Sequence, residues 1–486
     1  MTTTSADPAG PARIVDQPRG LATLVGIGLW ERFSFYGMQV VLLYYLFFSV
    51  AEGGLGLSKA EATSVIGAYG GLVYLSTVIG GWVADRLLGS ERTLFLSAML
   101  IMLGHVALAV VPGFTGVWIG LALLVVGSGG QVGNVTSSVG HLYGQGDRRR
   151  DNGFLLFYMG LNVGALAGPL LTGLARTRLG FHYGFGIAAI GMAIGLVLLF
   201  GGRRHLGPRG RSVPDPLPRS AIAKAGGTAV GVLLLVALAA TAGVLTIRHL
   251  ATAITVVVLA VIVGYFATML RSAKVSPAER RRVYGLIPMF LINCVFWALY
   301  QQQFTVVQIY AATRVDLHVL GFAMPPEFFS SAVPFFVILL TPMLVSLWSR
   351  AGSREPSTPV KFLAGVVLIG LSFLLFLPMA GSGGAVNPPL ALAGILLVFT
   401  LAELFVSPVQ LALSTELAPK AFQTQTVALL FLSTAAGSAA SGMLAGFYSP
   451  EREGAYFSTL GLASLAAAVL FATTLRWVKS MVNGAR

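Results

Sequence analysis

Charge is what this chain has least of. Asp, Glu, Lys and Arg make up only 10% of its 486 residues, whereas 56% are hydrophobic and the mean hydropathy is +0.81. A soluble chain of this length carries about a quarter charged residues, so a water-soluble globular fold is excluded. Cysteine is nearly absent as well. Cys294 stands alone inside an apolar run, so no intramolecular disulfide can form and the residue reads as small packing. Also missing are a GxxxxGK[ST] phosphate loop, a nucleophile elbow and any His, Cys, Asp and Glu cluster at metal-ligand spacing. These absences argue against ATP-driven work by this chain alone, against an enzyme, and against a bound metal or other cofactor.

Apolar residues gather instead in fourteen runs of 18 or more, divided by short polar loops. That pattern predicts an all-α integral membrane protein with 14 transmembrane helices. The net charge of +14 is unevenly placed. With the N-terminus cytoplasmic, 25 of the 32 Lys and Arg residues fall in inner loops and 6 in outer ones, with Arg32 inside a run. This positive-inside bias predicts a multi-pass protein of the inner (cytoplasmic) membrane with both termini in the cytoplasm. It also accounts for basic patches such as Arg148-Arg149-Arg150 without a nucleic-acid partner. Residues 1–20 are polar, rich in Pro and Ala, and lack a basic-then-apolar start. A disordered tail is expected there, not a cleaved signal.

The runs divide into six, two and six: a bundle over 21–202, a linker with two extra helices over 203–282, and a second bundle over 283–486. The two central runs, near 224–247 and 250–270, hold scarcely a polar residue, so they read as an insertion beside a working core. Two six-helix halves form the parallel-repeat architecture of major facilitator transporters, with a site near the midplane. Gly80 to Arg92 resembles the facilitator loop G-x-x-x-D-R-x-G with one extra residue, which makes Asp85 and Arg86 candidates for latching an inner gate. Pro334, Pro342 and Pro408 are expected to kink their helices for gating.

Glu31 and Arg32 are the only charges between Gly20 and Val50. An ionisable group at mid-depth costs roughly 2.5–3.5 kcal/mol on insertion scales, so such residues pair or line a watery path. Helical spacing puts Gly28, Glu31, Arg32, Tyr36 and Gln39 on one face of the first run. Gln131, Asn134, Ser138 and His141 align in the fourth run, Asn293, Trp297, Gln301, Thr305 and Gln308 in the ninth, and Glu403, Ser407, Gln410 and Ser414 in the twelfth. Four polar stripes in one bundle imply a cavity, because lipid does not tolerate them. Asn134, Ser138 and Asn162 read first as helix–helix hydrogen-bonding groups, with ligand contact as the alternative.

Trp30 to Gly37 (WERFSFYG) resembles the first-helix signature E-x-x-E-R-F-x-Y-Y of the proton-dependent oligopeptide transporter family. Phe157 to Gly164 is similar to its F-Y-x-x-I-N-x-G, Glu403 to Pro408 to its E-L-x-x-S-P, and Phe296-Trp297 with Gln302 to its F-W-x-x-x-E-Q. The resemblance implies a secondary active transporter of di-/tripeptides or peptide-like solutes that works by alternating access. It implies that Glu403 holds the substrate's amino end and Arg32 its carboxylate. Tyr36, Gln39, Tyr69, Asn162, Trp297 and Gln301 would complete the lining. Protons and the lipid bilayer are the other expected partners.

The departures are coherent. The family's first Glu is Gly28, and the fourth-helix Lys that pairs with it is Val132; a second family pair, Arg with Glu, is Gln39 and Gln301. Removing one member of a buried ion pair costs roughly 3–5 kcal/mol, whereas replacing both can be neutral. A retuned protein is therefore expected, with proton coupling altered or lost and Glu31, Arg32 and Glu403 as its remaining carriers. The alternatives are an uncoupled facilitator or exporter of a modified or apolar peptide product, and a non-transporting membrane sensor.

Overall fold

The computed structural model describes residues 16–144, 147, 149–207, 210, 212–243, 246–319, 321–381 and 387–483. The expected tail lies outside the described residues up to residue 15, and helix begins at Arg19. The first half comprises α1 (Arg19–Phe47), α2 (Lys59–Val83), α3 (Ser90–Val110), α4 (Gly113–His141), α5 (Arg150–Leu179) and α6 (Phe181–Gly202). The central pair is α7 (Arg219–Thr241) and α8 (Leu250–Arg271). The second half holds α9 (Pro277–Tyr300), α10 (Val306–Arg314), α11 (Ala332–Ala351), α12 (Thr358–Leu374), α13 (Pro389–Leu417), α14 (Gln423–Ala445) and α15 (Glu453–Asn483). Among the described residues, twelve helical segments are long and apolar enough to cross a membrane; α1 and α7 fall outside that set, against an expected fourteen.

Helix starts follow local chemistry. Ser58 caps α2 and Ser276 caps α9, each in a reciprocal box with a Glu three residues on. Small residues then set how closely helices cross. A Cβ on Gly164 would sit 2.0 Å from the Leu29 carbonyl oxygen, and one on Gly168 would sit 2.3 Å from that of Phe33. The glycine face of α5 therefore lets α1 pack backbone to backbone. The same device joins the halves: a Cβ on Gly67 of α2 would lie 2.5 Å from the Cα of Gly442 on α14.

Of the central pair, α8 packs on the two halves. Helix α8 lies against α2 and α14 with Val258, Ile262 and Met269 buried, while α7 exposes Leu234, Leu235 and Leu238.

One expected helix is broken. The ninth run reads as continuous over 284–310, yet α9 ends at Tyr300. A 3-10 turn spans Gln301–Phe304, and Thr305 takes φ −124° and ψ −96° before α10 begins. A break inside a bundle leaves backbone groups to satisfy. Side chains do this here: Gln303 Nε2 donates to the Tyr300 carbonyl at 3.3 Å and Gln308 Nε2 to that of Gln303 at 2.9 Å. The stripe therefore splits. Thr305 meets Ser441 of α14 at 3.2 Å and Gln308 accepts from Tyr44 of α1 at 3.1 Å, whereas Asn293 and Trp297 donate to Gln410 of α13.

Candidate functional site

Helix α1 presents Arg32 and Tyr36 half-buried, whereas Glu31 is only 3% exposed. The carboxylate of Glu31 lies 3.3 Å from Arg32 Nε, and the guanidinium also sits 5.7 Å from the Phe35 ring centroid. Tyr36 lies within electrostatic reach of both Arg32 and Glu403. Tyr69 is buried and stacks on Phe35 with ring centroids 6.2 Å apart. Gln39 is buried one turn beyond Tyr36, and its side-chain oxygen has no hydrogen-bond partner among the described residues. Gly28 is packed over: a Cβ there would meet Leu161 at 2.8 Å and Phe157 at 3.0 Å. Asn162 donates to the Tyr158 carbonyl of its own helix at 3.0 Å, so it stays half-buried without bridging helices.

From the second half, α13 supplies Glu403, half-buried and accepting a short hydrogen bond from the Tyr300 hydroxyl. Among the described residues it makes no ion pair. Tyr300 is held in an aromatic shelf, stacked on Phe296 at 5.6 Å and edge-on to Trp297 at 5.3 Å. Gln410 Oε1 accepts from Trp297 Nε1 and from Asn293 Nδ2, each at 3.1 Å, and Asn293 also donates to Ser433 Oγ at 2.7 Å. Tyr74 lies near Gln301 and within electrostatic reach of both Arg32 and Glu403. Arg32, Tyr36 and Glu403 thus come within electrostatic reach of one another, with Tyr74 and Gln301 close by. Tyr74, Tyr158 and Tyr300 also lie near Glu403, and none of the three was among the expected lining residues. Tyr158 carried a signal as part of the fifth-helix motif, and Tyr300 through its position at the border of the ninth-run stripe.

In the fourth run His141 is exposed, and neither polar atom of the Gln131 side chain has a hydrogen-bond partner among the described residues. Gln131, Asn134 and Ser138 are buried, and Asn134 donates to the Gly130 carbonyl of its own helix at 2.9 Å. The side chain of Ser414 lies outside the described residues.

At the end of the bundle holding the α1 start, Asp85 is exposed, and Arg86 forms an ion pair with Asp215 of the segment that follows α6. The Asp215 N–H donates to the Asp85 carbonyl at 3.0 Å and the Leu217 N–H to that of Arg86 at 3.1 Å. This loop is strapped to the linker. Pro342 and Pro408 lie inside α11 and α13. Pro334 instead stands in the first turn of α11, where its missing N–H interrupts no α-helical bond.

The opposite end carries contacts that the sequence reading missed. Arg176 of α5 grips Glu327 with two hydrogen bonds of 2.6 Å, and the Glu327 side chain is fully buried. Tyr44, Phe48 and Phe181 surround the guanidinium at 5.6–5.8 Å. Nearby, Tyr44 donates to the Gln308 carbonyl at 2.9 Å, and Ser331 Oγ donates to the Leu166 carbonyl at 2.7 Å. All three links join the first half to the second, so this end is clasped shut.

Two helical halves tied together at one end, with Glu31, Arg32 and Glu403 held in an apolar interior, have the architecture of a membrane transporter. A sequence profile of the POT family matches residues 91–458, and the chain belongs to that family. It is 41% identical to the uncharacterized transporter YclF of Bacillus subtilis (strain 168), over 92% of each chain. It is 38% identical to the di-/tripeptide transporter of Lactococcus lactis subsp. cremoris, over 93% of this chain and 94% of that one. A crystal structure of a mutant peptide transporter POT in complex with alafosfalin superposes with a TM-score of 0.92 at 40% identity, covering 97% of each chain. The fold is that of the major facilitators, and the protein is a multi-pass membrane transporter.

Proposed function

We propose that this protein carries di- or tripeptides, or peptide-like solutes, across the inner (cytoplasmic) membrane by rocking its two halves, 21–202 and 283–486, about the midplane space. The observation that carries the reading is Glu403. It is a half-buried carboxylate that faces the space with a phenol as its partner and no cation. A substrate ammonium supplies the missing charge through a charge-assisted hydrogen bond. Arg32, already balanced by Glu31, takes the far end of the substrate, and Tyr36, Tyr69, Asn162, Trp297, Gln39 and Gln301 shape the wall between.

The neutral positions Gly28, Val132, Gln39 and Gln301 leave proton movement to Glu31, Arg32 and Glu403. Coupling is altered as a result, and cargo with a weaker carboxylate demand is favoured. Asp85 and Arg86 hold the inner loop against the linker, while Pro342, Pro408 and Pro334 shape the moving helices.

Competition in proteoliposomes tests this assignment. Free-amine dipeptides should displace a labelled dipeptide, and their N-acetylated forms should not. In a Glu403→Gln variant that distinction should vanish. An unchanged preference for the free amine in that variant would remove Glu403 from the site.

A further inference from the structure

We infer a binding site for an anionic phospholipid at the end of the bundle that holds the α1 start, in the outward groove between α3 and α6. A cavity of about 250 Å³ there is lined by Leu88, Glu91, Arg92, Phe95, Leu96 and Leu199, with Arg203 at its rim. Its chemistry changes along one direction. Arg92 and Arg203 stand at the ends of their helices, and Phe95, Leu96 and Leu199 continue along the shafts. The neighbouring surface is lipid-facing in composition, with Phe200, Val197 and Leu103 all exposed.

The charges favour a phosphodiester. Glu91 is buried, with its carboxylate 3.1 Å from Arg203 Nε, so one Arg charge is already matched inside the groove. The Arg203 side chain remains 47% exposed beyond that contact. Arg92 is exposed and makes no ion pair among the described residues. Arg92 and the exposed part of Arg203 present positive charge at the groove, to which one phosphodiester is complementary. Bidentate guanidinium–phosphate geometry suits the head, and the apolar shafts suit an acyl chain. A free phosphate ion would use only the charged half of this surface, so the occupant is assigned as a lipid.

Native mass spectrometry of the full-length protein, released from phosphatidylcholine nanodiscs doped with phosphatidylglycerol, tests the site. Retained phosphatidylglycerol should exceed its share of the bilayer, and Arg92→Gln with Arg203→Gln should lower retention roughly tenfold. Because Arg203 also supports Glu91, Arg92→Gln alone and Leu96→Trp are measured beside it. Leu96→Trp keeps every charge and fills the groove, so it should also lower retention. Arg281→Gln, which removes an exposed charge outside the groove lining, should not. Retention unaffected by Leu96→Trp, or lost equally in Arg281→Gln, would overturn the site in favour of general surface attraction.

Discussion

Arg176 and Glu327 are 151 positions apart and meet as a bidentate pair of 2.6 Å bonds that ties the first half to the second. The carboxylate is fully buried, so removing either partner leaves a charge without compensation, at roughly 3–5 kcal/mol. Arg176→Leu and Glu327→Leu should each lower the melting temperature in detergent and shift the population toward opening at this end. The double Leu variant should melt closer to the parent than either single. Spin-label distances across residues 48–58 and 326–331 would register the opening, and additive losses in the double variant would contradict the pairing.

The contact of α1 with α5 depends on a missing side chain. Gly164→Leu should prevent assembly, and Gly164→Ala should destabilise by several kcal/mol, because the new Cβ would meet the Leu29 carbonyl oxygen at 2.0 Å. Gly81→Ala has nothing within 4 Å of its Cβ and should leave the melting curve within about 0.5 kcal/mol of the parent.

Gln410 is the hinge-pin of the aromatic shelf, since it accepts from both Trp297 and Asn293. Gln410→Ala leaves two donors unsatisfied, at roughly 1–3 kcal/mol each where buried. The expected outcome is weaker substrate binding together with a changed Trp297 fluorescence maximum, while the fold is retained.

The paired neutral positions yield a test by restoration. Gln39→Arg or Gln301→Glu alone places an unpaired charge in a buried position and should abolish uptake. Together they should recover uptake and make it more steeply dependent on a pH gradient. A double variant as dead as each single would mean that these two positions do not face one another.

Much of the site was legible in the sequence, because a 3.6-residue period in an apolar run is hard to produce by accident. The α1 face of Arg32 and Tyr36 follows that period, as does the α13 face of Glu403 and Gln410. The break after Tyr300 was not legible. Gln301-Gln302-Gln303 are ordinary helix formers, and only tertiary partners such as Ser441 and Tyr456 on Gln302 make the turn preferable. The Arg176–Glu327 clasp was hidden for a related reason. Each residue sits near a helix end, where a charge needs no buried partner, and the pairing exists only once the halves meet. In the fourth run the sequence left both readings open, since buried amides at helical spacing suit helix packing and a cavity face alike.

The measurement that tests the account most directly is uptake of a labelled dipeptide into proteoliposomes, with and without an inward-acid gradient, for the parent and Glu403→Gln. The account predicts parent uptake that responds to the gradient through its remaining carboxylates, and a Glu403→Gln variant with weakened uptake that no longer responds. Gradient-driven uptake that persists unchanged in Glu403→Gln would contradict it, and would place both the amine site and the coupling elsewhere in the bundle.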